Sequence, residues 1–532
     1  MPRAQVAAAL VLFAMGPVLL AQDEIWSWQG DGRFFGASVA GAGDTDGDGH
    51  ADVLVGDYGW ESTRGKVTLF SGATGEILHS WRGEAGWQGL GRQVAGIGDV
   101  DGDGLADVAF SAFWRREEAG DYVGRVYAYS GASGELIWSR PGEGRWDYFG
   151  RALAAAGDVT GDGIADVIVG ADYHDGPAGE DSGKIYLLDG ASGELLWSRD
   201  GEAAGDRFGS SVAAAGDTDG DGLGDVIAGA FLHDAEPAPH PGAGGNTSEG
   251  RAYLLSGASG GLLGVFDGEA PGDLFGFSVS GAGDIDGDDH ADVLVGAHLH
   301  DGPAGPDSGR IYLFSGATGE RLSTEDGPSS QAFFGYALAR GGDVNGDGLE
   351  ELLVGATNGF DSGPGQAFLY SGGYQGGYQG AALRLLWRWH GEPGGVAFGQ
   401  AVAGAGDVDG DGIPDQVIGD YQHRHGGGTG KVYVVSGNDL YLEALTEEVE
   451  AGDMLQVQTR GGGSGAQALL FVVDVNDHPY FLLVARWVLD GYGEWTFGSS
   501  VPDLSGPFDV TFVSYTTNAG LADSNRALIR MR

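Results

Sequence analysis

A nine-residue pattern, Asp44-Thr-Asp46-Gly-Asp48-Gly-His50-Ala-Asp52, occurs seven times in register, and few folds accommodate it. The copies begin at Asp44, Asp99, Asp158, Asp217, Asp284, Asp343 and Asp407. Positions 1, 3, 5 and 9 always carry an oxygen-bearing side chain, and position 6 is Gly in every copy but the fifth, which has Asp289. Alternate residues of a tight loop turn their carboxylates inward, and calcium takes about six to eight such oxygens. Gly permits the left-handed turn that closes the loop. Position 7 enters through its backbone carbonyl, so its side chain is free to vary. The ligand set read from the first two copies is Asp44, Asp46, Asp48, His50 and Asp52, then Asp99, Asp101, Asp103, Leu105 and Asp107. The third and fourth give Asp158, Thr160, Asp162, Ile164 and Asp166, then Asp217, Asp219, Asp221, Leu223 and Asp225. The last three give Asp284, Asp286, Asp288, His290 and Asp292; Asp343, Asn345, Asp347, Leu349 and Glu351; and Asp407, Asp409, Asp411, Ile413 and Asp415.

An EF-hand begins in the same way but needs a bidentate Glu at position 12 and a helix on each side. Position 12 here is Val55, Phe110, Val169, Ala228, Val295, Val354 or Ile418, all apolar, so that reading fails. The residues after each loop, such as Asp52-Val-Leu-Val-Gly56, read as a buried strand. The loop therefore joins two strands, with the position-9 carboxylate opening the second.

The loop sits in a longer repeat. A Gly lies eight residues before every copy, from Gly36 to Gly399, preceded by Phe in six units and by Leu90 in the second. Twelve residues after each loop start comes Gly56, Ser111, Gly170, Gly229, Gly296, Gly355 or Gly419. A third strand opens at a Gly, as in Gly183-Lys-Ile-Tyr186, after a connection of variable length. A hairpin such as Ser71-Gly-Ala-Thr-Gly-Glu76 leads to a fourth strand, often with Trp. Four strands per unit, A to D, at this period describe propeller blades with metal in the A–B turn.

Phe35-Gly36 through Val55-Gly56-Asp57 and its six counterparts resemble the FG-GAP repeat family, the propeller of integrin α-subunits, over roughly residues 25–437. The resemblance implies a seven-bladed β-propeller, structural calcium and recognition on the face opposite the calcium. Integrin-like propellers carry such loops on only some blades, whereas all seven have them here. Thr160, Asn345, Glu351 and Asp289 depart from the pattern, and Thr160 replaces a carboxylate by a neutral ligand. The D-like strands are offset: the first starts at Ile25, ahead of any blade, and the last blade has none after Lys431–Val435. Pairing these two ends would close the ring.

The formal net charge is −49, which argues against nucleic acid as a partner. Seven Ca²⁺ would leave about −35. Cysteine is absent, so no disulfide is available, and calcium is the expected staple. Residues 1–21, with Arg3 and an apolar run from Ala7 to Ala21, read as a secretory signal, and no other stretch reaches transmembrane length. Residues 22–437 form the expected propeller. Residues 438–532 alternate in β fashion at Met454–Thr459, Ala468–Val473, Tyr480–Val484 and Phe508–Tyr515, which suits a small β-sandwich-like domain.

His174-Asp175, His233-Asp234 and His300-Asp301 recur in the B–C connection, with His298 nearby and His423 and His425 in the last unit. Propeller geometry puts them on the face opposite calcium. They read either as a ligand or metal site or as hydrogen bonding within the loop. The Trp residues of strand D read as packing. No nucleophile motif or phosphate loop is present, and calcium accounts for the paired carboxylates. The expectation is a secreted, periplasmic or cell-surface adhesion or ligand-binding scaffold, not an enzyme, with an extracellular protein or glycan as partner. The alternatives are a secreted polysaccharide lyase or hydrolase using the His/Asp loops, and a purely structural envelope protein.

Overall fold

The computed structural model describes residues 24–437 apart from 33, 85, 87, 116–121, 235–247, 360–363, 373–382, 393–396 and 422–428; beyond 437 it describes the backbone of five strands. Seven antiparallel four-stranded sheets follow one another along the chain as the blades of a propeller. Six are contiguous, as in blade 3: Ala152–Gly157, Asp166–Ala171, Lys184–Leu188 and Leu195–Asp200, strands A to D in order. Blade 7 draws A, B and C from Ala401–Gly406, Asp415–Asp420 and Lys431–Val435, and its outer strand is Glu24–Gln29. Trp26 lies opposite Val434 and Trp28 opposite Val432. The two ends of the repeat array thus close the ring through one sheet, as the strand count requires, and the array has no open end.

Strand B is buried along its whole length in every blade, for example Asp52–Asp57 and Asp292–Ala297. It is covered on both faces because blades stack face to face. Seven apolar clusters result, each drawn from two neighbouring blades. The cluster containing Phe35, Val55, Phe70, Val417 and Val434 joins blade 7 to blade 1. The repeated Phe is buried in each case, and all six meet the edge or face of an aromatic from strand C, such as Phe149 on Tyr186 at 5.0 Å.

The glycine spacing has a steric cause. A Cβ on Gly170 would lie 1.9 Å from the Gly209 carbonyl oxygen of the next blade, and one on Gly355 would lie 1.8 Å from that of Gly399. The backbone of strand B touches the next Phe-Gly segment directly, so the two motifs are halves of one contact.

Tryptophans of strand D fasten blades together, as packing residues. Trp26 Nε1 donates to Gly72 O at 2.6 Å, Trp81 to Gly134 O at 3.1 Å, Trp138 to Gly190 O at 2.7 Å and Trp197 to Gly257 O at 2.6 Å, each acceptor in the next blade's C–D turn. The indole N–H groups of Trp387 and Trp389 in blade 6 have no acceptor among the described residues. Blade 7 takes its outer strand from the other end of the chain, so the turn that would serve them is not formed in the same way.

Past the propeller, Tyr441–Ala444, Gln456–Arg460 and Arg526–Leu528 form one sheet, and Ala466–Asp474 pairs with Pro479–Val488. The expected strand at Phe508–Tyr515, the signal segment 1–21, and His423 and His425 lie outside the described residues.

Candidate metal loops and the opposite channel mouth

Each acidic loop follows a β-bulge at the end of strand A, where the register slips at a Gly of positive φ, as between Gly41 and Gly43. The bulge turns the chain out of the sheet. The loop is then folded by its own carboxylates. In the first copy, Asp44 accepts the amide N–H of Gly47 at 2.7 Å and of Gly49 at 3.0 Å, and Asp48 accepts that of His50 at 2.9 Å. The same three bonds recur in all the other copies, from Gly102, Gly104 and Leu105 to Gly410, Gly412 and Ile413. Asp289, in place of Gly at position 6, adopts φ 68°, a left-handed conformation that Asp tolerates better than most residues.

The position-9 carboxylate is buried and spans two turns. Asp52 accepts from Thr45 N at 2.9 Å and from the Thr45 hydroxyl, and its other oxygen accepts from Gly72 N in the C–D turn at 2.9 Å. Asp107, Asp166, Asp225, Asp292 and Asp415 make the same bridge. Glu351, one methylene longer, accepts from Val344 N and the Asn345 side-chain amide.

Neighbouring loops are tied together. In four of the seven loops the amide at position 8 donates to the position-1 carbonyl of the preceding loop: Ala106 to Asp44 at 2.9 Å, Gly224 to Asp158 at 3.0 Å, Ala291 to Asp217 at 2.8 Å, and Ala51 to Asp407 at 2.8 Å across the closure. Pro414 holds this position in the last loop and has no N–H to give. His50 Nδ1 lies 2.9 Å from Val408 O, so its ring covers the loop before it.

This donor set fits a hard cation. Oxygens of positions 1, 3 and 9 come within 4.8 Å of one another in the second, fourth, fifth and seventh loops, and those of Asp44, Asp46 and Asp48 do so in the first. The third and sixth loops, with Thr160 and Asn345 at position 3, form no such acidic triad; Thr160 Oγ1 donates to Asp158 at 3.4 Å instead. Burial raises the position-9 groups: Asp166 to about 6, Asp292 and Asp415 to about 7, and Glu351 to about 8. A bound cation would relieve that penalty.

Antiparallel order puts the B–C and D–A connections on the other face. The His-Asp motif there pairs differently from its sequence neighbours. His174 Nδ1 meets Asp147 at 2.6 Å, His233 meets Asp206 at 2.7 Å and His300 meets Asp273 at 2.6 Å. Each Asp lies 27 residues earlier, two before the Phe of the same unit, and is buried. The Asp147 bond raises the His174 pKa. Asp175 instead accepts from Asp181 N at 2.9 Å within the loop, and Asp301 from Asp307 N. The pairs thus pin the B–C connection to the D–A connection. Their sequence signal was an Asp-x-Phe-Gly with His at a fixed distance in three units.

The residue after each repeated Gly was not singled out by the sequence, yet it matters most on this face. Ala37, Arg92, Arg151, Ser210, Phe277, Tyr336 and Gln400, one per blade, surround a cavity of about 250 Å³ at the mouth of the central channel. Arg92 lies over the rings of Tyr58 at 5.4 Å and Phe113 at 5.9 Å. Arg151 Nε is 3.6 Å from Asp172, which is buried. Phe277 packs on His298 at 4.2 Å and on Tyr336 at 5.1 Å. Burial drives the His298 imidazole down to about 3, so it is neutral. Trp146, in a D–A connection, is 42% exposed.

The FG-GAP repeat family model matches residues 149–188, 275–314 and 334–381, in the third, fifth and sixth units. The chain is 32% identical to integrin alpha-PS2 of Drosophila melanogaster over 38% of its own length and 15% of that protein. It is 31% identical to integrin alpha-V of Gallus gallus over 39% of this chain and 20% of the other, and 30% identical to integrin alpha-2 of Bos taurus over 46% and 21%. The chain thus spans about a fifth or less of the curated relatives it matches.

Proposed function

We propose that this chain, an FG-GAP propeller of the integrin α type, is an exported, calcium-stabilised adhesion or ligand-binding scaffold that recognises its partner on the face opposite the acidic loops. Residues 1–21 act as the export signal in this reading, 22–437 as the recognition propeller and 438–532 as an accessory β domain. All seven loops take Ca²⁺, with the position-3 substitutions making the third and sixth weakest. The partner is an extracellular protein or glycan. The observation that carries the reading is the division of labour between faces. Carboxylates fold the loops of one face and backbone bonds interlock them, while the other face gathers the channel cavity, its aromatic rim and the exposed Trp146. The relatives carry integrin names, and no helix among the described residues is long and apolar enough to cross a membrane. His174, His233 and His300 are each held through Nδ1 by a buried carboxylate, and this reading gives the pairs the task of fixing the B–C connections.

A glycan and peptide array probed with the full chain in calcium tests this. Binding without turnover is expected, reduced by Trp146→Ala and unaffected by Glu76→Lys in a C–D turn on the acidic face. Turnover of an arrayed glycan would favour the enzyme, and no binding at all would leave a structural protein.

A further inference from the structure

The channel mouth has a charge that the rest of the chain does not predict. In a protein of net charge −49, Arg92 and Arg151 face one small cavity. Arg92 feels the Arg151 charge, and both feel Asp172. Arg92 has no hydrogen bond or ion pair among the described residues; only the faces of Tyr58 and Phe113 meet it. Arg207 also approaches Asp172 but is paired with Asp181 at 2.9 Å. Two guanidinium groups against one carboxylate leave the mouth with one positive charge. Both Asp172 oxygens lack a hydrogen bond among the described residues, so the pair at 3.6 Å is loose. A partly buried Arg with no acceptor is costly, and its planar fork matches an oxyanion.

Two further groups narrow the ligand. Gln400 lines the cavity, and its Oε1, closed off from solvent in this rotamer, has no donor among the described residues, so a turn of the side chain presents an unsatisfied acceptor to a ligand. It calls for a hydroxyl or N–H. Phe277 and Tyr336 offer aromatic surface in the same wall. A volume of about 250 Å³ holds one ring-sized unit and not an oligomer, since pockets for drug-sized ligands start at about 300 Å³. A single excess positive charge suits a monoanion, and a dianionic phosphate would overload it beside Asp172.

We propose that the channel mouth binds a hexuronate unit, a sugar ring bearing one carboxylate. The carboxylate meets Arg92 and Arg151, a hydroxyl donates to Gln400 Oε1, and a ring face lies against Phe277 and Tyr336. This deepens the recognition reading above and rests on it for the choice of face. Arg92 and Gln400 are specificity-determining residues in this account, and Arg151 is shared between ligand and Asp172.

Calorimetric titration of the full, calcium-loaded chain with methyl glucuronide and methyl galacturonide tests the assignment, with methyl glucoside, acetate and inorganic phosphate as controls. At least one uronide should bind about tenfold or more tightly than every control. Arg92→Gln should weaken it at least about tenfold, Arg92→Lys should fall between, and Gln400→Leu should weaken it without changing the charge. Thermal melts in calcium check that each variant is folded. Should Arg92→Gln fail to fold, Gln400→Leu and the neutral glucoside still decide. No uronide binding at millimolar concentration, equal binding of the glucoside, or unchanged affinity in folded Arg92→Gln overturns the proposal. Equal binding of acetate or phosphate overturns the sugar assignment in favour of a general oxyanion site. The array separates this failure from that of the wider reading. An array ligand, such as an acidic peptide, that binds regardless of Arg92→Gln and of free uronide sinks the uronate site alone. An array with no ligand, together with silent calorimetry, sinks both.

Discussion

Removing the Trp28 indole should loosen the ring at its seam. Trp28 belongs to the strand Glu24–Gln29, which completes blade 7, but its ring stacks on Phe70 of blade 1 at a centroid distance of 4.3 Å. Its Nε1 donates to Gly75 O at 2.9 Å, also in blade 1. The hydrogen bond is worth about 0.5–1.5 kcal/mol net and the stack about as much again. A fully buried Trp→Ala costs about 3–5 kcal/mol, and Trp28 is only half-buried, so Trp28→Ala should cost about 2–3 kcal/mol. Denaturant unfolding of Trp28→Ala, Phe70→Leu and the double variant reads the coupling directly. Contacting aromatics should show an interaction energy of about 0.5–1.5 kcal/mol. Deleting residues 22–30 should in turn destabilise the propeller more than deleting 445–532. Additive single effects, or a propeller indifferent to loss of residues 22–30, would refute closure through this strand.

Thr160→Asp should raise calcium affinity of the third loop and stabilise the calcium-loaded chain, yet destabilise it in chelator through repulsion with Asp158 and Asp162; a neutral effect in both conditions would show that position 3 is not a ligand. In chelator, stability should fall as pH rises from about 4 to 8, because Asp166, Asp292, Asp415 and Glu351, held at about 6, 7, 7 and 8, bind protons in the folded state that the unfolded chain has released. In calcium the same carboxylates must ionise to ligate, so stability should rise over that window, and melts that run parallel in the two conditions would contradict this. Gly170→Ala, whose Cβ would lie 1.9 Å from Gly209 O, should cost about 3 kcal/mol, whereas Gly163→Ala, with nothing within 4 Å and φ +88°, should cost about 1–2 kcal/mol of backbone strain; chemical denaturation giving the reverse order would count against the inter-blade contact.

The blades were legible because their constraints are local and repeated. A Phe-Gly, an acidic loop and a small residue at fixed spacing reflect one bulge, one loop and one backbone contact, and each leaves a mark in the sequence. The closure was legible for a different reason: an offset of one D strand admits few other solutions. Trp26 and Trp28 sit 46 and 47 residues from the acceptors Gly72 and Gly75, so their bonds could not be read, although the strand could. Asp147 was missed because its partner His174 is 27 residues away, while Asp175 stood beside that histidine. The channel mouth was invisible for a stronger reason. Arg92, Arg151, Phe277, Tyr336 and Gln400 occupy equivalent positions in different blades, and their types differ because they serve a shared cavity instead of a repeated contact. A repeat-based reading discards such positions as variation.

Thermal unfolding of the full chain in calcium and in excess chelator tests most directly whether calcium loops hold this propeller together. Each site that binds only the folded state adds about 2.7 kcal/mol at a hundredfold excess over Kd. With several interlocked sites, the calcium-loaded chain should melt far above the chelated one, and chelation should open residues 25–437 to protease. Identical melts and identical proteolysis in the two conditions would contradict the account.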